Sequence, residues 1–376
     1  MKLAIIGTVH PFRGGLSAFN ERLAKQFILD GHEVVVYTFT LQYPNFLFPG
    51  KTQYSSEPAP EGLKIIPCIN SINPLNWISV GLKIRKQKYD AAIFCYWMSF
   101  MAPCFGTIAR FLKKKTKKEA LVHNMIPHEK SILDVLFPRY FVRSMDGFTA
   151  MSKAVMEEIK KSGGKNKPII VTPHPLYDHF GPIMPREEAL KAINLDSEFR
   201  YILFFGLIRA YKGLDLLLEG FADKRLRKLP LKLLVAGEFY EDEQYYLDII
   251  TEKELSEHVF ICADYIPEQE VREWFSAADM IVQPYRSASQ SGISQIAYHF
   301  EKPMLVTDVG GLAEIVPNGK AGYVVQPNAQ EIADAILDFY KNNRQASFEA
   351  GSKDEKKKYQ WHVMSKNIID LLDKIG

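Results

Sequence analysis

The residues best suited to chemistry lie in Phe204–Phe221, FFGLIRAYKGLDLLLEGF. Arg209 and Lys212 stand three positions apart, and Gly213 follows at once. An apolar run, Tyr201–Phe205, ends at Gly206 just before them; Leu214, Leu217, Leu218 and Phe221 come after at i, i+3, i+4, i+7. That order reads as strand, cationic loop and helix. The loop would sit at a strand's carboxyl end, where α/β sheets bind ligands. Two cations beside a helix N-terminus suit a phosphate or diphosphate. Two solvated loop residues would look the same, so the other motifs decide.

His123 and Asn124 follow the apolar stretch Ala120–Val122, with His128 and Glu129 in the same loop. An imidazole at a strand end can orient or polarise a reacting group. Ala236-Gly237-Glu238 brings a carboxylate to the same rim as Arg209 and Lys212. Ser287–Gly292, SASQSG, opens a helix over Ile293–Phe300. Its three serines, Gln290 and a glycine form a nest of N–H and O–H donors, a second anion site. Near the start, the glycines fall at 7, 14 and 15, before a helix over Leu16–Asp30. This is not GxGxxG, and no acid ends the second strand to hold a ribose, so a dinucleotide site is disfavoured. Gly14 and Gly15 still let a ligand approach backbone N–H groups. His174 and His299 read as structural, and no HxxxH or HExxH spacing suggests a protein-held metal.

These motifs need two domains to carry them, which the length of 376 residues fits. The hydrophobic fraction of 47% and the charged fraction of 24% are ordinary for a globular chain; the formal charge of +3 says little about partners, and no nucleic acid is expected among them. Cys68, Cys95, Cys104 and Cys262 are scattered without a CxxC, which fits a reducing cytoplasm. No stretch approaches the roughly 18 apolar residues of a membrane span.

Near-continuous apolar runs alternate with helical patterns, the signature of parallel sheets covered on both faces. The first set is Leu3–Ile6, Val34–Tyr37, Leu63–Ile66, Ala91–Tyr96, Ala120–His123, Phe148–Met151 and Ile169–Thr172. The second is Tyr201–Phe205, Leu231–Ala236, Val259–Cys262, Met280–Gln283, Met304–Thr307 and Gly322–Val325. A polar, proline-containing stretch, Thr172–Pro185, separates them. Thr40–Gly62 is a long aromatic connection (Tyr43, Phe46, Phe48, Tyr54) of a length that is usually functional or disordered. Arg110–Lys118, RFLKKKTKK, is six parts in nine cationic. It reads as a solvated helix end or as a patch drawn to anionic lipid, on the order of 1 kcal/mol per cation.

Taken in order, the motifs resemble those of retaining glycosyltransferases of the GT-B fold, in the large group called family four or glycosyl transferases group 1. Pro11–Gly15 with GHEVVVYT, TAMSKAV (Thr149–Val155), TPHPLYD (Thr172–Asp178), GLIRAYKGLDLLLEGF, VAGE, the turn Tyr265-Ile266-Pro267, AADMIVQPY and EKPMLVTDVGGLAEIV carry the likeness almost end to end. The resemblance implies an α/β fold, with two doubly wound Rossmann-like parallel-sheet domains facing a central cleft. Residues 1–175 with a returning helix, 359–376, would bind the acceptor, and 176–358 the nucleotide sugar. The co-substrate would be a UDP- or GDP-sugar, with UDP favoured and no tightly bound cofactor. The acceptor would be a glycan or a lipid-linked glycan in cell-surface polysaccharide synthesis.

By the same resemblance Arg209 and Lys212 would contact the diphosphate, and His123 would lie by the transferred sugar. Gly14, Gly15, Gly206, Glu238, Tyr265, Ile266, Ser289, Gln290, Ser291, Gly292 and Gln295 would hold the donor, with Asn124 and His128 on the acceptor side. The setting implied is cytoplasmic, at times peripheral to a membrane. One departure stands out. The family's paired glutamates, seven residues apart, would fall in Ala288–Ile296, and that window reads ASQSGISQI with no acid. A nucleotide-sugar epimerase or hydrolase, or a non-catalytic binding paralogue, therefore stays open as an alternative.

Overall fold

The computed structural model describes residues 1–44, 53–55, 58–125, 133–288 and 291–375. His128, Ser289 and Gln290 fall outside them, as do Glu129, Phe46 and Phe48. The chain forms two compact units, Met1–His174 together with Trp361–Gly376, and Pro175–Gln360.

The first unit is built on seven strands: β1 (Lys2–Ile6), β2 (Glu33–Leu41), β3 (Lys64–Asn70), β4 (Ala91–Tyr96), β5 (Lys117–Val122), β6 (Gly147–Ala150) and β7 (Ile169–Val171). They pair in the order β3-β2-β1-β4-β5-β6-β7, every pair parallel. Successive side chains of a strand point to opposite faces, and β1 divides accordingly. Ala4 and Ile6 enter one core; Leu3 and Ile5 enter the other. Helices α2 (Pro74–Lys86), α3 (Ala102–Phe111), α4 (Leu133–Val142) and α5 (Lys153–Ile159) cover the first face through residues such as Val80, Ile84, Phe105, Phe141 and Val155. The second is covered by α1 (Gly15–Leu29) and by a helix from the far end of the chain, α14 (Trp361–Lys374). Ser365 of α14 donates a hydrogen bond to Asp30 beside α1.

The second unit has six parallel strands: β8 (Arg200–Phe205), β9 (Leu231–Ala236), β10 (Val259–Cys262), β11 (Met280–Gln283), β12 (Met304–Thr307) and β13 (Gly322–Val325). Their order is β10-β9-β8-β11-β12-β13. Helices α6 (Arg186–Ala192), α9 (Val271–Ala277), α10 (Gly292–His299) and α11 (Leu312–Ile315) pack on one face around Leu190, Phe275, Tyr298 and Leu312. Helices α7 (Leu214–Phe221), α8 (Glu243–Glu252), α12 (Ala329–Lys341) and α13 (Gln345–Lys356) pack on the other around Leu218, Ile250, Ile336 and Phe348.

All thirteen apolar runs read from the sequence are strands, in the doubly wound parallel arrangement expected. The boundary of β5 needs correction. It begins at Lys117 rather than Ala120, because Lys117, Lys118 and Glu119 pair with Ala91, Ala92 and Ile93 of β4. The cationic run is therefore not one solvated helix end. Arg110 closes α3, donating to the Gly106 and Tyr140 carbonyls at 2.8 Å each, while Lys118 is ion-paired with Asp146 at 3.0 Å.

Candidate functional site

In a doubly wound sheet, the chain leaves two neighbouring strands in opposite directions, and the gap beyond their carboxyl ends receives the ligand. Those strands are β8 and β11 in the second unit, β1 and β4 in the first.

Beyond β8 the chain turns at Gly206, where φ is +95° and an added Cβ would lie 3.2 Å from Lys212 Nζ. The lysine ammonium is thus folded back over the strand end. Gly213 has φ +68°, and a Cβ there would meet the Pro284 carbonyl oxygen at 2.1 Å. No side chain fits, so the cationic loop and the loop after β11 touch backbone to backbone. Arg286 fastens the two together. Its main-chain N–H donates to the Tyr211 carbonyl at 2.7 Å and its Nη1 to the Ala210 carbonyl at 3.1 Å. Its guanidinium also grips the Asp215 carboxylate with two bonds of 2.7 Å. From the other side, the Ala210 N–H donates to Glu241 Oε2 at 3.0 Å. The loop is preorganised by the protein alone.

Within that frame the two cations differ. Lys212 is 8% exposed, and its ammonium has no hydrogen-bond or ion-pair partner among the described residues, lying 5.8 Å from the Tyr285 ring centre. Burial first, and the Arg209 charge second, pull its pKa down to about 8. Arg209 is exposed, with its guanidinium 4.6 Å from the Tyr240 ring centre. That neighbour is set by backbone geometry. Ile208 bridges Phe239 beyond the strands, the Ile208 N–H donating to Glu238 O at 2.8 Å and the Tyr240 N–H to Ile208 O at 3.1 Å. Arg209 and Tyr240 come next on each side of this extension. The aromatic face supports the cation, and its donors stay available, since no carboxylate among the described residues pairs with it.

Gly206, Arg209, Lys212 and Glu238 thus share one rim. The exposed Glu238 contributes its backbone carbonyl there, and its side chain stays in solvent. Ser291 caps α10, its hydroxyl accepting from the Ile293 N–H at 3.2 Å and lying 3.5 Å from the hydroxyl of buried Tyr285. Gly292 sits against Tyr177, with only 3.2 Å to an added Cβ. Gln295 is 2% exposed, its Oε1 without a partner among the described residues, so it is part of the packed helix. Tyr265, 65% exposed, and buried Ile266 follow β10, two strands from β8 at the sheet edge. Of the paired-glutamate window, Ala288 is half-buried and Ile296 lies in the hydrophobic core.

In the first unit, His123 follows β5 with its N–H bonded to Tyr96 O at 2.9 Å. Its ring meets Phe19 edge-on at 4.7 Å, and Phe19 also touches His174 at 5.0 Å and Trp361 at 5.1 Å. Burial, then the nearby His174, pull the His123 pKa down to about 3, so the imidazole is neutral, and its Nε2 has no partner among the described residues. A neutral ring with a free nitrogen can donate to or accept from a hydroxyl. Asn124 is exposed beside it. Gly14 and Gly15 open α1, and no described residue lies within 4 Å of a Cβ added at either. Sequence reasoning missed Arg286, Asp215, Tyr240, Glu241 and Tyr285. Only Arg286 carried a signal, as a cation three residues past a strand end.

The two parallel-sheet α/β units define the GT-B class of fold. The solved HepE of Anabaena, described as a complex with UDP, has this fold with a TM-score of 0.73 at 15% identity, covering 100% of both chains. Residues 185–358 match the family described as "Glycosyl transferases group 1", and that stretch is a domain of this family. A D-inositol 3-phosphate glycosyltransferase of Pseudarthrobacter chlorophenolicus is 28% identical over 158 residues, 41% of this chain and 38% of the relative. A putative teichuronic acid biosynthesis glycosyltransferase, TuaC of Bacillus subtilis, is 24% identical over 65% of this chain and 63% of its own. The chain thus spans less than two thirds of either relative's length.

Proposed function

We propose that this protein is a retaining glycosyltransferase that moves a hexose from a nucleotide sugar to a glycan or lipid-linked acceptor. The observation that carries the reading is the pair Arg209 and Lys212, without carboxylate partners among the described residues and held in a braced loop at the β8/β11 switch point. A nucleoside diphosphate leaving the sugar gains negative charge, and fixed cations that need no reorganisation lower that barrier most. A UDP-sugar is the favoured donor, in keeping with the UDP that HepE is described with. Glu238, the turn at Tyr265 and Ile266, and the Ser289–Gly292 loop with Gln295 would complete the donor side. Gly14, Gly15, His123, Asn124 and His128 of the first unit would meet the sugar and acceptor. Cell-surface polysaccharide assembly is the proposed setting, in the cytoplasm. Contact of Arg110–Lys118 with an anionic membrane is part of the same proposal.

The test is a thermal-shift screen against UDP, GDP, ADP and their sugars, followed by transfer of labelled sugar into lipid and glycan fractions. A ligand that binds only the folded state raises the melting temperature by mass action. Arg209→Ala and Lys212→Ala should each cost roughly a hundredfold in turnover, and unchanged turnover would refute their assignment. A second reading, a sugar-nucleotide binder without transferase activity, is favoured by the acid-free window at Ala288–Ile296. Nucleotide stabilisation with neither transfer nor donor hydrolysis would decide for it.

A further inference from the structure

Arg209 stands in extended backbone, φ −141° and ψ 151°, on an exposed rim. Arginine has more rotamer freedom than most side chains, so a ligand that must first order it loses affinity. The loop after β9 meets it there. Gly206 follows β8 and Gly237 follows β9, and their backbones touch: Gly237 has φ +145°, and a Cβ added to it would lie 2.3 Å from the Gly206 carbonyl oxygen. A side chain does not fit, so the two loops leave the sheet side by side. Phe239 then bridges Ile208 in parallel and packs its ring 5.6 Å from that of buried Tyr246 on α8. Asp242 caps α8, accepting from the Gln244 N–H at 3.1 Å. With both ends of this short loop fixed, the backbone carries Tyr240 to Arg209, its ring centre 4.6 Å from the guanidinium.

The same loop carries the means to neutralise that cation. Glu238, Glu241, Asp242 and Glu243 all lie close to Tyr240 in the chain. Among the described residues none of them pairs with Arg209. Glu241 accepts the Ala210 N–H at 3.0 Å, and Asp242 is engaged in the helix cap. A carboxylate on Arg209 would have to be displaced before a diphosphate could bind. An aromatic ring attracts a guanidinium through its face and leaves the N–H edge to phosphate oxygens.

We propose that Tyr240 is a positioning residue for the nucleoside diphosphate: its ring holds the Arg209 guanidinium in place before the ligand arrives, so that the diphosphate meets an ordered cation. This rests on the diphosphate reading of Arg209 above and deepens it. What position 240 must supply is an aromatic face; the phenolic hydroxyl plays no part. Tyr240 acts on the ligand through Arg209, and its contribution disappears when that cation is removed.

The test is a double-mutant cycle on the affinity for UDP, or for GDP or ADP where that nucleotide stabilises the wild type more. Affinity is read by calorimetry and by the ligand-induced rise in melting temperature. Tyr240→Leu should weaken binding roughly three- to tenfold, while Tyr240→Phe stays within about twofold of wild type and Tyr240→Trp matches or exceeds it, in the order in which rings hold cations. Beside Arg209→Gln, Tyr240→Leu should cost nothing further. Tyr240 is 56% exposed, so the ligand-free melting temperature should keep its wild-type value throughout. Equal affinities of the leucine and phenylalanine variants would overturn the proposal. So would a leucine loss that persists undiminished beside Arg209→Gln, which would mean that the ring stacks on the base or ribose itself. A lower ligand-free melting temperature in Tyr240→Leu, with nucleotide affinity unchanged, would make the ring a support of the loop alone. The underlying reading fails separately. If none of the three nucleotides stabilises the wild type, Arg209 holds no diphosphate; if one does, and Arg209→Gln weakens it while the Tyr240 series is flat, the role of Tyr240 alone is refuted.

Discussion

At the scale of the residue, the pair Arg209 and Lys212 splits into two chemically distinct parts. Arg209 presents a planar fork of donors, whereas buried Lys212, its pKa pulled down to about 8, offers a single ammonium that loses its charge within the working range. Its ammonium is fully charged well below that value and is lost as pH rises through it. A diphosphate needs the charged form, and its presence raises the lysine pKa again. Nucleoside diphosphate binding should therefore be nearly pH-independent between pH 6.5 and 7 and weaken up to about tenfold per unit above about 8, with net proton uptake. Phosphate itself, with a second pKa near 6, adds no uptake there. Calorimetry at pH 9 in buffers of different ionisation enthalpy measures the uptake, and Lys212→Met should abolish it. Uptake that persists in that variant would place the titrating group elsewhere.

At the scale of the element, β5 holds a feature that pattern reading skipped. Glu119 is fully buried, two positions before Leu121 and so on the face covered by α1 and α14. Burial pushes its carboxyl up to about 8, the hydroxyl and N–H of Thr149 holding it below what burial alone would give. In the unfolded chain it titrates as an ordinary carboxylic acid. Between those two values the folded state carries the extra proton, so stability falls as pH rises, with a slope of about 1.4 kcal/mol per pH unit. Below the ordinary range the effect vanishes, and above about 8 the full penalty is reached. Glu119→Gln should flatten this slope in denaturant titrations from pH 5 to 8; a wild-type protein already flat there would show that the carboxyl is not buried neutral. The strand was legible because its apolar half, Ala120–Val122, is continuous, but a polar start looks like a loop, and the reading began three residues late. The site divides in the same way. Arg209 and Lys212 could be found because glycines and a helix pattern frame them locally. Their braces could not: Arg286 reaches Asp215 across 71 residues and Ala210 reaches Glu241 across 31. Both contacts depend on which strands are neighbours, and the apolar runs carry no record of strand order. The acid-free window was visible in the letters alone, whereas the burial of Ile296 in its core needed the fold.

At the scale of the molecule, the chain order and the cores disagree, and the disagreement can be measured. The last sixteen residues follow the second unit in sequence yet belong to the first. Helix α14 places Trp361, Met364, Ile368, Leu371 and Leu372 in the core that also holds Leu3, Ile5, Phe19, Leu23 and Phe27. Burying each of these large side chains is worth roughly 1.5–3 kcal/mol, so the five together are comparable with the roughly 5–15 kcal/mol that keeps a typical domain folded. Ending the chain at Gln360 should therefore unfold the first unit and spare the second, whose two cores contain none of these five residues. Limited proteolysis resolved by mass spectrometry should find cleavage throughout residues 1–174 and protection across 175–360. The surviving transition should still respond to a nucleoside diphosphate if Arg209 and Lys212 hold it without help from the first unit. Equal protection of both units in the shortened chain would mean that α14 merely lies on a core complete without it.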